Sequence, residues 1–358
     1  MKRMITSLVL TGMIVGAAPN VFPINEVKAA QSINNLVSGS SYNAKWLDEQ
    51  HILFTNEKNE ISSTYLLNVQ TKQVKKQFNQ SELTISPNGK QAIYSDDKDA
   101  LFLLDIQSSK STLLTNDDSF KSDFVWSNDG SKIFFLQGDK GETVSSISVK
   151  DGSITKILDD KVEYKSDLRL STDETKILYL AAKQAETKYT DDKKTDVDTI
   201  VTEGTEPQLF EFNLASSKPE SVIITSSKEN KFFITPLQNG RILYLEVSPE
   251  DDGKLPILKL TSPDRKTINN LVENMEIEGV TVSSNGGIYI LVKEKDSSSS
   301  IYKVSTSGSL ERKINTKQEI TSLEVSKEGK QIVTTIATDN GDKLAIFKDK
   351  RLEELTKN

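Results

Sequence analysis

Short apolar runs alternate with polar turns along almost the whole chain. Two copies are clear: Leu83-Thr84-Ile85, then Ser86-Pro87-Asn88-Gly89-Lys90, then Gln91-Ala92-Ile93-Tyr94; and Phe124-Val125-Trp126, then Ser127-Asn128-Asp129-Gly130-Ser131, then Lys132-Ile133-Phe134-Phe135. Runs this short, separated by Asn-Gly and Asp-Gly turns, read as strands joined by tight hairpins. Taking Trp46, Ile85, Trp126, Leu170, Ile234, Val282 and Val325 as equivalent positions gives intervals of 39, 41, 44, 64, 48 and 43 residues. Each interval suits one blade of four antiparallel strands, about 40–50 residues in blade repeats. The pattern predicts an all-β fold, a single seven-bladed β-propeller of four-stranded antiparallel blades, with six or eight blades as the alternatives. No amphipathic helix is expected after residue 30.

Third strands are expected near 65–69, 101–106, 208–214, 257–260, 301–304 and 343–347, and outer strands near 111–115 and 153–158. The turn glycine is missing from Ser171-Thr172-Asp173-Glu174-Thr175, and Leu47-Asp48-Glu49-Gln50 is degenerate. Asp296-Ser297-Ser298-Ser299-Ser300 reads as a flexible hairpin tip.

The strand–Ser86-Pro87-Asn88-Gly89-Lys90–strand unit is followed by Leu104-Asp105-Ile106 and Leu113-Leu114-Thr115. This combination resembles the WD-repeat-like propeller repeats of the TolB-type family, best over residues 83–180 and 280–358. The resemblance implies the propeller fold. TolB proper carries an additional α/β domain and a propeller that is usually six-bladed, so its role in envelope integrity is not carried over.

The N-terminus departs from the strand pattern. Lys2 and Arg3 precede an apolar stretch over 5–18, and Val27-Lys28-Ala29 offers small residues at −3 and −1 of a cleavage site. Residues 1–29 are therefore expected to be a signal peptide, residues 30–42 an N-terminal segment with a ring-closing strand, and residues 43–358 the propeller. That places the protein outside the cytoplasm, secreted or associated with the cell envelope. Ile33-Asn34-Asn35-Leu36-Val37 is repeated verbatim as Ile268-Asn269-Asn270-Leu271-Val272, an outer strand; the first copy is expected to pair with the C-terminal blade, in a slot that residues 351–356 could also fill.

Composition narrows the chemistry. A formal charge of −7, with no basic run, argues against nucleic acid or an anionic membrane as partner. There is no cysteine and a single histidine, His51, which leaves no conventional zinc site and no thiol chemistry. No Gly-x-Ser-x-Gly elbow or phosphate-cradling loop occurs. Carboxylates are the plentiful reactive groups. Ser81-Glu82, Ser122-Asp123 and Ser166-Asp167 put an acid at the entry to an innermost strand, and Glu278 and Glu319 sit near the same point in later repeats. These acids are expected to ring one mouth of the central channel. They would either accept backbone hydrogen bonds between blades or focus a negative potential on a cation or basic peptide.

Long insertions over 183–206 and 248–256 are expected to overhang that same face. The first carries Asp191, Asp192, Asp196 and Asp198, a candidate Ca²⁺ site without the glycine and terminal glutamate of an EF-hand loop. No other cofactor is expected. Trp46 and Trp126 share one repeat position and are expected to pack between blades. The function expected from these features is a secreted, non-catalytic monomer that binds a protein, peptide or envelope component through the face bearing the long loops. The alternative is a carboxylate-based hydrolase or lyase, glycosidase-like, acting in the central channel.

Overall fold

A computed structural model describes residues 37–357, apart from 81, 116, 161, 163, 184–185, 190–197, 202–204, 217–219, 250, 252 and 349–350. Seven four-stranded antiparallel sheets succeed one another along the chain, with no helix among the described residues. The protein is a seven-bladed β-propeller. The innermost strands are Ser40–Trp46, Thr84–Ile85, Lys121–Trp126, Lys165–Leu170, Asn230–Pro236, Glu276–Val282 and Ile320–Val325, and they define blades 1 to 7 in that order.

The second strand of each blade is covered on both faces, which is why it reads as a continuous apolar run. Ile133, Phe135 and Leu136 in blade 3 and Ile242, Leu243 and Tyr244 in blade 5 are all at most 1% exposed. Seven apolar clusters fill the seven gaps between neighbouring blades. Trp126 belongs to the cluster between blades 2 and 3, and its indole N–H donates to Thr84 O at 3.0 Å. Trp46 makes the matching bond to Glu324 O at 3.3 Å. Both indoles wedge between blades, as expected.

Turn chemistry explains the first hairpins. Ser127 Oγ receives Lys132 N–H at 3.0 Å and donates to Asp129 at 2.6 Å, which fixes a small hydroxyl at the first position. Gly130 takes φ +72° three residues later. In the copy without glycine, Glu174 adopts φ +56°, a conformation that glycine takes without steric conflict.

Each blade is built from one continuous stretch of chain. The fourth-strand slot of blade 7 is filled by Arg351–Glu354. Residues 33–36 lie outside the described residues, and Val37 packs on the cluster shared by blades 7 and 1. The ring therefore closes through side chains and turns and not through an exchanged strand in that slot. Ser41 N–H donates to Asp342 O at 2.7 Å, and Glu49 binds Glu328 N–H and Gln331 Nε2, each at 2.8 Å.

The serine tract departs from expectation. Ser298, Ser299 and Ser300 are at most 4% exposed, and Ser299 opens a strand. Asn315 Nδ2 reaches Ser300 Oγ at 3.0 Å, and Ile320 N–H reaches Ser299 Oγ at 3.0 Å. Small hydroxyls are used here because they satisfy buried backbone where blade 6 passes to blade 7.

Candidate functional site

The register of the innermost strands positions the channel acids. In six blades the innermost strand carries a bulge near its start, which displaces one residue from the ladder. Asn43, Asp123, Asp167 and Phe233 occupy the bulge with φ between +52° and +55°. In blades 6 and 7 the bulge falls one position earlier, at Glu278 and Thr321. Asparagine and aspartate enter the left-handed region more readily than most residues, which suits three of these positions.

Just before the bulge lies a buried plug. Lys121, Lys165 and Lys231 fill it in blades 3, 4 and 5, Ile277 and Ile320 in blades 6 and 7, and Ser41 in blade 1; all are at most 5% exposed. Lys165 Nζ bonds Glu142 O and Asp160 Oδ1, both at 2.8 Å. Lys121 Nζ holds Asp117 Oδ1 and Ser119 O, both at 2.7 Å. Each ammonium is thus caged by carbonyls and one carboxylate where the chain crosses between blades. Lys231 bonds the carbonyls of Ser227 and Glu229, and burial lowers its pKa against the pull of Glu246. The sequence repeats the lysine, in Phe120-Lys121-Ser122-Asp123 and Tyr164-Lys165-Ser166-Asp167, but does not show its burial, because a lysine at a strand entry reads as a solvated charge.

The predicted acids divide into two groups. Asp167 forms an ion pair with Arg169 at 2.5 Å and accepts Ile234 N–H from blade 5 at 3.1 Å. Burial and then the Asp167 charge push the Asp123 pKa up, while Arg169 and the Asp167 backbone N–H draw it down. These two acids staple each inner strand to the next and so serve the backbone.

Glu278 and Glu319 form part of a different arrangement. Burial raises the Glu278 carboxyl, Lys293 opposes that, and Glu276 and Glu319 add repulsion. Asp342, in the loop between the second and third strands of blade 7, is raised by burial and by Glu319. Glu276, Glu278, Glu319 and Asp342 make an electrostatically coupled arc over blades 6 and 7. Asp342 carries no repeat signature, so the sequence did not single it out. Glu82 is exposed in blade 2. The strand order puts the arc on the face of the two insertions. Asp191, Asp192 and Asp196 lie outside the described residues, and Asp198 starts a strand, Asp198–Val201, that pairs with Glu186–Tyr189. Among the described residues no group of three or more His, Cys, Asp or Glu side chains is arranged to hold a metal. His51 bonds Asp48 and Asn68 on the surface.

No protein-family model matches the chain, and no curated protein matches it in sequence. Solved structures do share its shape. Oligogalacturonate lyase from Vibrio parahaemolyticus superimposes with a TM-score of 0.60 at 12% identity, covering 89% of this chain and 86% of that one. The β-propeller domain of the Trilobed protease from Pyrococcus furiosus, described as having an open velcro topology, gives 0.61 at 12% identity over 92% and 97%. Acylaminoacyl peptidase from Pyrococcus horikoshii gives 0.65 at 10% identity, over 89% of this chain and 52% of that one. The chain thus shares its propeller shape with several solved structures. At such identities the likeness concerns the fold alone.

These neighbours overturn the expected function. A secreted, non-catalytic role was inferred from missing catalytic motifs and from the face bearing the long loops. A lyase that matches this chain over most of both lengths removes that reasoning, since one propeller of this size can belong to an enzyme. The glycosidase-like alternative gains nothing in return, because Asp123 and Asp167 are engaged with backbone of the next blade.

Proposed function

We propose that the arc of Glu276, Glu278, Glu319 and Asp342 binds a small organic cation, of the polyamine class, at one mouth of the channel. The observation that carries this is the placing of acids from two blades on one mouth, where burial first and then the charge of Glu319 raise both Glu278 and Asp342. Like charges held together in a partly desolvated place are stabilised by a cation that relieves them. The formal charge of −7 supports attraction of such a ligand from a distance.

Calorimetric titration with spermidine tests the assignment. Saturable binding that weakens with added NaCl and falls more than tenfold in E278Q/D342N is expected. Equal binding by wild type and variant would reject the site. Ca²⁺ is the discriminating arm: heats that match spermidine and persist in the variant would point to a diffuse field and not to this arc.

Two readings of the sequence accompany this proposal. TolB-type membership is supported by the Ser86-Pro87-Asn88-Gly89-Lys90 unit and its downstream strands. Export is supported by Lys2, Arg3, the apolar stretch that follows and Val27-Lys28-Ala29. Mass determination of the N-terminus after expression with a secretion apparatus checks the second.

A further inference from the structure

The opposite mouth of the channel, ringed by the hairpins between first and second strands, opens into a cavity of about 610 Å³ across blades 3 to 6. Its size falls in the range of small-ligand sites, roughly 300–1,000 Å³. Its chemistry differs from that of the acidic arc. Among the residues lining it, Asp173 is the one charged side chain. The Asp173 Oδ1 atom already receives Ser171 Oγ, Thr175 N–H and Thr175 Oγ1, which hold its pKa down at about 2.

Two amides and two threonine hydroxyls on the wall each use one donor within the protein. Asn128 Nδ2 donates to Thr172 O at 3.2 Å, and Gln238 Nε2 to Ser284 O at 3.1 Å. Thr235 Oγ1 donates to Phe233 O at 3.2 Å, and Thr172 Oγ1 to Leu237 O at 3.4 Å. Each amide keeps a second N–H and its carbonyl oxygen, and each hydroxyl keeps lone pairs, so the wall offers both donors and acceptors. Pro236 and Val282 add apolar surface beside them. Donors and acceptors with little formal charge, next to an apolar patch, suit a neutral ligand rich in hydroxyls with one C–H face.

We infer that this cavity is a second binding site, for a neutral oligosaccharide of about three rings. An ammonium ligand is better served at the other mouth, where formal charge is available. A carboxylated sugar finds no cation among the lining residues. The inference stands apart from the proposal for the acidic arc, since no residue is shared between the two.

Calorimetry with maltotriose, cellotriose and triacetylchitotriose tests it, with spermidine and trigalacturonate as charged probes. At least one neutral trisaccharide should bind saturably and without dependence on NaCl. Thr235→Val with Gln238→Leu should weaken it about tenfold or more, the scale of two lost hydrogen bonds. E278Q/D342N should leave it unchanged. Where the double variant melts at a lower temperature than wild type, Thr172→Val replaces it, with a loss of about fivefold expected. The inference fails if none of the three saturates at millimolar concentration, if the cavity variants bind as wild type does, or if spermidine or trigalacturonate displaces the sugar.

Discussion

Blades 3 to 5 and blades 6 to 7 solve the same packing problem in opposite ways. At one register position of the innermost strand the first group buries lysine and the second buries isoleucine. The strand alongside follows only in part: Lys231 faces Glu246 and Lys121 faces Gln137, but Lys165 faces Ala181, while Ile277 faces Val292 and Ile320 faces Ile336. A buried ammonium needs carbonyls and a carboxylate around it, so Asp117 and Asp160 are recruited from the inter-blade loops in blades 3 and 4. An isoleucine needs only apolar neighbours. The acids of blades 6 and 7 act on one another at the mouth, with Lys293 opposing them at Glu278. A channel acid thus becomes a staple or part of an electrostatic arc according to what lies buried behind it.

The sharpest way to break this comparison is to remove one plug. Lys165→Met leaves Asp160, whose side chain is 10% exposed, without its partner, and a loss of about 3–5 kcal/mol in urea unfolding is expected. Adding Asp160→Asn should return most of that loss, because an apolar plug already serves blades 6 and 7. If the double variant is no better than the single one, the two plugs are not interchangeable solutions.

Two smaller changes test the staples. Trp126→Phe removes the bond to Thr84 O, and a loss of about 1 kcal/mol is expected from the same measurement. Asp167→Asn keeps an acceptor for Ile234 N–H but loses the pair with Arg169, which is 41% exposed; about 0.5–1 kcal/mol should follow. E278Q/D342N, in contrast, should leave stability unchanged or raise it by a few tenths of a kcal/mol at neutral pH, since it removes repulsion. A destabilisation above about 1 kcal/mol would mean that these acids are staples too.

Acidification separates the groups by sign. Glu278 and Asp342 have raised folded pKa values, so they bind protons more readily in the folded state; their penalty shrinks as pH falls through those values. Asp160 is held low by Lys165, so its contribution is present above the unfolded value and is lost as pH falls through the folded one. Comparing thermal midpoints of wild type and E278Q/D342N between pH 7 and pH 4, about the ordinary carboxylate range, should show the two proteins converging. Parallel curves would remove the arc from the account.

Much of this molecule was legible in its sequence. Strand period, turn residues and blade spacing are local, and six of the seven markers from Trp46 to Val325 end their innermost strand; Ile234 lies two residues short of the equivalent position, Pro236. The insertions' face followed from counting strands, and Glu278 and Glu319 were found by their place in the repeat. The lysine plugs were not legible, because whether Lys121 meets solvent or a carbonyl cage depends on the loop of another blade. Asp342 was missed because it carries no repeat signature and meets Glu319 only when the strands of blade 7 pair. Ser298, Ser299 and Ser300 were misread because a serine run is equally suited to a solvated tip and to a buried hydrogen-bonded junction. The sequence by itself determined the blades, through short-range alternation of apolar and polar residues. Only the tertiary structure decided which charges are consumed within the ring and which remain at its mouth. Partners and desolvation come from residues distant in the chain, and they govern what a charge can do.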